Sequence, residues 1–139
     1  MEPVDPARAA DAFSDACPSR AVLQHLTGRW GALTLAALGD GPMLFGDLRR
    51  RVSGISDRML ARTLSDLERD GIVIRTVRSA IPPHVEYEAS PLGADLASHL
   101  GTLIHLLESR FQEVRAAQRD FDARQGDPSV ADGNPALTP

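Results

Sequence analysis

FGDLRRRVSGISDRMLARTLSDLERDGIVIRTV, residues 45–77, holds two short helical patterns and the start of a strand, and its reading decides the fold. Phe45, Leu48 and Val52 recur at spacings of three and four, which predicts a short helix over 45–52 with Asp47, Arg49, Arg50 and Arg51 left outside. Gly54 interrupts it. Ser56 is suited to cap a second helix whose Leu60, Leu64 and Leu67 form the buried face. That helix ends at Asp70-Gly71, where glycine fits the left-handed position that follows a helix. Its opposite face carries Arg58, Arg62, Ser65 and Arg69. IVIRTV (72–77) is short and β-branched and reads as a strand.

Upstream, Pro18 suits a first helical position, and Val22, Leu26, Trp30 and Leu33 share one helical face. Gly28 divides that run into two helices, the second stopping at the breaker cluster Gly39 to Pro42. Downstream, SAIPPH (79–84) links the strand to VEYEA (85–89), where Val85, Tyr87 and Ala89 alternate, so the pair makes a hairpin with an extended tip. Ser90 and Pro91 open one long helix with apolar positions Leu92, Leu96, Leu100, Leu103, Leu107, Phe111 and Val114. Residues 1–16 read as a flexible N-terminal extension, 17–124 as the folded domain, and 125–139, rich in Gly, Pro and Asp, as a disordered tail.

Four helices, a hairpin and a final helix, with a glycine turn between two arginine-bearing helices, is the order of a winged helix-turn-helix. The expected fold is therefore mainly α with a small β-hairpin wing, dimerising through its terminal helices. Charge placement agrees. All 15 basic residues are Arg, and although the net charge is −4, residues 20–80 hold ten Arg against six acids while 81–109 hold none against four. A basic block inside an acidic chain points to a local anion-binding face. Genomic preference for Arg explains the missing Lys but not this clustering. At 139 residues one domain is expected. The single cysteine excludes an intramolecular disulfide framework, and no apolar run reaches membrane-helix length. With no secretory pattern at the N-terminus, the expected location is cytoplasmic, without membrane contact.

Cys17-Pro18, Gly28-Arg29-Trp30, FGDLR (45–49), GIS (54–56) with Arg58-Met59-Leu60, LERDG (67–71), PPHVEY (82–87) and PLG (91–93) together resemble the HxlR-type family of bacterial transcriptional regulators, within the wider MarR-like group. The resemblance spans about 17–108. It implies a homodimeric winged-helix protein that binds double-stranded DNA. His84 stands where the family usually has Arg or Lys, and Arg78 where an aromatic is frequent.

Base-reading candidates are Ser56, Arg58, Met59, Arg62 and Thr63, because Arg pairs bidentately with guanine and a threonine methyl touches that of thymine. The plain alternative is a solvated helix face with Met59 packed inward and Ser56 acting only as a cap. Phosphate candidates are Arg29, Arg49, Arg50, Arg75, Arg78 and His84, against pairing with Asp47, Asp66 and Asp70. Val22, Leu26, Leu96, Leu100, Leu103, Leu107 and Phe111 are the expected dimer interface, since so apolar a stripe wants a partner. Cys17, at a helix start, suits either a reactive thiolate that senses oxidants and electrophiles or a small apolar plug. The resemblance adds that some family members sense through a cysteine at this location. The four histidines lack metal spacing, and no catalytic constellation or phosphate loop is readable, so no metal, cofactor or catalysis is expected. Three readings stay open: a regulator switched at Cys17, a regulator switched by a small-molecule effector with Cys17 structural, and a winged-helix protein-interaction module.

Overall fold

The computed structural model describes residues 9–79 and 81–126. Residues 1–8 of the expected N-terminal extension and 127–139 of the expected tail lie outside them. The elements run α1 (Pro18–Thr27), α2 (Gly31–Leu38), β1 (Met43–Leu44), α3 (Phe45–Arg51), α4 (Asp57–Arg69), β2 (Val73–Arg78), β3 (His84–Ala89), α5 (Pro91–Ser109) and α6 (Phe111–Gln125). The fold is mainly helical with a winged helix-turn-helix at its centre. Its wing is larger than a hairpin, because β1 adds an outer strand to an antiparallel sheet of order β1-β3-β2. Met43 faces Tyr87 and Leu44 faces Glu86 in that pairing. Two residues are too few to leave an alternating pattern in the sequence.

Contacts divide the chain after Gly101. In the first unit, Leu35, Leu48, Leu60, Leu64, Leu67 and Ile72 are each at most 1% exposed. Burying such side chains stabilises by about 1.5–3 kcal/mol each. The expected face of α4 is therefore the buried one. Leu33 does not share a face with Val22, Leu26 and Trp30 as its spacing suggests: it is exposed, whereas Leu26 is buried. The break between α1 and α2 resets the helical phase, so that Thr34, Leu35 and Leu38 point inward instead.

Ser90 ties the wing's two ends together. Its hydroxyl donates to the carbonyls of Gly71 (2.7 Å) and Ile72 (3.1 Å) and accepts from the Gly93 N–H (3.0 Å), while its own N–H reaches Ile72 O at 2.9 Å. A Cβ at Gly93 would lie 2.0 Å from that same Ile72 oxygen, so only glycine permits the approach. Gly71 sits at φ +74°, the left-handed turn expected after α4.

The expected single helix from 91 through 114 is two. Arg110, at φ −114° and ψ 20°, interrupts the helical run. There the Ser109 hydroxyl donates to Leu106 O (2.9 Å), competing with the helical ladder. The Arg110 guanidinium is pulled forward onto Glu113 (2.8 Å).

Candidate nucleic-acid interface

Residues with no regular structure between α3 and α4 make a short turn, with Gly54 at φ +91°. Ser56 then begins the recognition-type helix in extended backbone, and its Oγ accepts the Met59 N–H at 3.1 Å. Burial of Leu60, Leu64 and Leu67 forces Arg58, Met59 and Arg62 outward, and Thr63 to the flank. Met59 is exposed rather than packed inward. Among the described residues neither Arg58 nor Arg62 has an ion-pair partner.

The phosphate candidates differ in this respect. Arg49 on α3 reaches Asp57, the first residue of α4, at 3.2 Å. Arg50 folds back onto Asp47, one turn earlier, with its Nη1 3.6 Å from where a Cβ on Gly46 would be. On the wing, Arg78 Nη2 donates to Glu86 Oε1 at 2.9 Å, and that carboxylate pushes the guanidinium pKa higher still. Arg78 sits opposite His84 in the β2–β3 register, and Arg75 opposite Tyr87. Arg29 stacks on the Trp30 ring, 4.7 Å from its centroid.

Two depressions bring candidates together. One is lined by Arg29, Trp30, Met59, Thr63 and Asp66. The other, between the start of α3 and β3, joins Arg50 and Asp47 to His84, with Phe45 and Tyr87 at 6.4 Å between ring centroids. Of the anticipated acidic partners, Asp47 pairs with Arg50, whereas Asp70 takes His25, with Nδ1 2.6 Å from Oδ2. This pair links α1 to the end of α4, and sequence reasoning missed it because 45 residues separate the two.

Cys17 is the N-cap of α1 and is half-buried. Its Sγ lies 3.1 Å from Ser19 Oγ and accepts the Asp11 N–H at 3.3 Å. The Ser19 hydroxyl first, then the Asp11 amide, hold the thiol below its ordinary pKa, against a smaller opposing effect of the Asp11 carboxylate. Of the expected interface residues, Leu26 is buried in the chain's own core, and Val22, Leu96 and Leu100 pack against it. Leu103, Leu107 and Phe111 are exposed. Among the described residues, no group of three His, Cys, Asp or Glu side chains is placed to hold a metal ion, and no helix is long and apolar enough to cross a membrane.

Residues 25–115 match the family described as HxlR-like helix-turn-helix. The HTH-type transcriptional regulator YtfH of Escherichia coli K12 is 44% identical over 106 residues, covering 76% of this chain and 84% of that one. A solved chain described as a transcriptional regulator, ytfH, from Salmonella typhimurium superposes with a TM-score of 0.75 at 42% identity, covering 80% and 99% of the two chains. The redox regulator HypR in its oxidized form gives a TM-score of 0.61 at 34% identity, covering 67% and 96%.

Proposed function

The chain belongs to the HxlR-like helix-turn-helix family, whose proteins are transcriptional regulators rather than enzymes, and on that premise we propose that it is a homodimer that reads a pseudopalindromic DNA operator in the cytoplasm and is switched at Cys17. The observation that carries the DNA reading is the pair Arg58 and Arg62, one turn apart on an exposed helix face and without acidic partners among the described residues. In this reading Ser56, Arg58, Met59, Arg62 and Thr63 meet base edges, while Arg29, Arg49, Arg50, Arg75, Arg78 and His84 meet phosphates. Residues 17–124 act as one functional domain. A second copy covers the exposed Leu103, Leu107 and Phe111, the family's proteins being typically homodimeric. Selection from a randomised duplex pool should return a dyad-symmetric motif with half-sites about 10 base pairs apart or a multiple. Binding without any sequence preference would favour the protein-interaction module instead.

The switch at Cys17 rests on the lowered thiol pKa and on the likeness to a chain named as a redox regulator. A quinone would accept the thiolate sulfur at a ring carbon, with a solvent proton completing the adduct. The added bulk displaces α1, and the His25–Asp70 pair passes that displacement to the end of α4. Because the thiolate is favoured, alkylation should stay fast at a pH where an ordinary thiol is already protonated, and Ser19→Ala should move the inflection upward. Operator affinity of wild type and Cys17→Ser, each with and without the quinone, tests the switch. Loss in treated wild type alone supports it. Equal affinity in all four makes Cys17 a packing residue and the trigger a small molecule.

A further inference from the structure

We propose that Asp47, Asp57 and Glu86 are discrimination residues: each carboxylate holds one arginine of the phosphate-facing set, which lowers attraction to any DNA while the base-reading arginines remain free. This rests on the DNA reading above. The three pairs, Arg50–Asp47, Arg49–Asp57 and Arg78–Glu86, are made by side chains from α3, the start of α4 and strands β2 and β3 of the wing. Arg58 and Arg62 lie on the same helix as Asp57, yet neither has a carboxylate partner among the described residues. Within the helix-turn-helix and wing, therefore, acids hold three of the four arginines assigned to the DNA backbone, Arg75 being the exception among the described residues, and spare both of those assigned to the bases.

Stability does not account for the pattern. Five of the six side chains are between 48 and 69% exposed, only Glu86 being lower at 22%. Exposed pairs of this kind contribute at most about 1 kcal/mol. Their effect on DNA is larger in kind, because sequence-independent affinity comes from neutralising phosphates with free cations. A carboxylate 3 Å from a guanidinium is well inside the roughly 8 Å screening length, so an approaching phosphate meets a cation already neutralised and an anion beside it. On an operator, the base contacts of Arg58 and Arg62 supply the free energy that moves the carboxylates aside. On other DNA nothing does. What matters for a regulator is the ratio of the two affinities, because non-specific sites are in vast excess.

The test uses the full chain and two fluorescent duplexes: one selected by the wild type from a randomised pool, and a scrambled duplex of equal composition. Asp47→Asn, Asp57→Asn and Glu86→Gln are made singly and together, and affinities are read by anisotropy across a salt series. Each amide should raise affinity for the scrambled duplex roughly threefold to fivefold and steepen its salt slope by up to about one. Operator affinity should rise less, so the ratio falls. Asp40→Asn makes the same charge change at an exposed acid that pairs with no arginine among the described residues, and should alter neither duplex by as much as twofold. In an Arg50→Gln background, Asp47→Asn should lose most of its effect, which separates masking of Arg50 from net charge and from altered folding. Equal gains on both duplexes, or none on the scrambled one, would overturn the proposal. A changed selected sequence with Asp57→Asn would make Asp57 a base reader instead. A wild type that selects no sequence would remove the DNA reading itself.

Discussion

Leu35, Leu48, Leu60 and Leu67, in the unit that ends at Gly101, are fully buried, whereas Leu103, Leu107 and Phe121 in the unit that follows are between 49 and 60% exposed. The first unit has a buried core that holds one chain together, although Leu23, Leu33, Met59, Val77 and Leu92 in it are exposed too. The second keeps its own for something else, and the groove along Leu103, Leu106, Leu107 and Val114 shows how continuous that face is. Hydrophobicity alone therefore does not say which chain a leucine serves. Placement does, and the proposed dimer follows from it.

The sharpest way to break the comparison is at the exposed leucines. Leu103→Glu with Leu107→Glu should yield monomers in sedimentation and weaken operator binding roughly a hundredfold or more, since a single half-site lacks the avidity of two. It should leave the melting of the first unit's core little changed. Leu64→Ala should do the reverse, costing about 2–5 kcal/mol in denaturant titration, because it opens a cavity that cannot collapse. The next contrast lies within the DNA face. Arg62→Ala should cost roughly 1–3 kcal/mol on the selected duplex and relax which sequence is selected, whereas Arg50→Ala should leave the selected sequence unchanged and flatten the salt slope on that duplex, with a smaller effect on a scrambled duplex, where Asp47 holds Arg50. Equal changes in preference would erase the division between base and phosphate readers. Smallest of all, Thr34→Val should stabilise the first unit by about 1 kcal/mol. Thr34 Oγ1 is buried with no hydrogen-bond partner among the described residues, so its removal relieves an uncompensated desolvation.

Helix α4 was wholly legible in the sequence, because its cap, its leucine period and its terminating glycine all agree. Leu33 was misplaced because periodicity carries no record of a phase reset across Gly28 and Trp30. The single long C-terminal helix failed for a related reason: the apolar spacing continues through Arg110 although the backbone does not. For the site, exposure of the arginines could be read from the opposite face of α4, and of the acids named as their possible partners, Asp47, Asp66 and Asp70, only Asp47 holds an arginine among the described residues. Glu86 was not, since its approach to Arg78 follows from a strand register set by the whole hairpin. His25 and Asp70 meet only when α1 packs on α4.

Ser90 has a consequence for how this architecture diversifies. Because one hydroxyl binds the carbonyls at 71 and 72, and its residue also begins α5, the wing leaves and rejoins the chain at nearly one point. Beyond Val73, Val85 and Tyr87, which pack in or against the core, the segment between is a closed detour, and extra length at its tip enters folding mainly through loop-closure entropy, which grows slowly. Strands can lengthen, and tip residues can be exchanged or inserted, without moving the helices on either side. The wing is thereby open to rapid change while α4 stays fixed, and chimaeras joined at residues 72 and 89 are the natural way to transplant one wing onto another body.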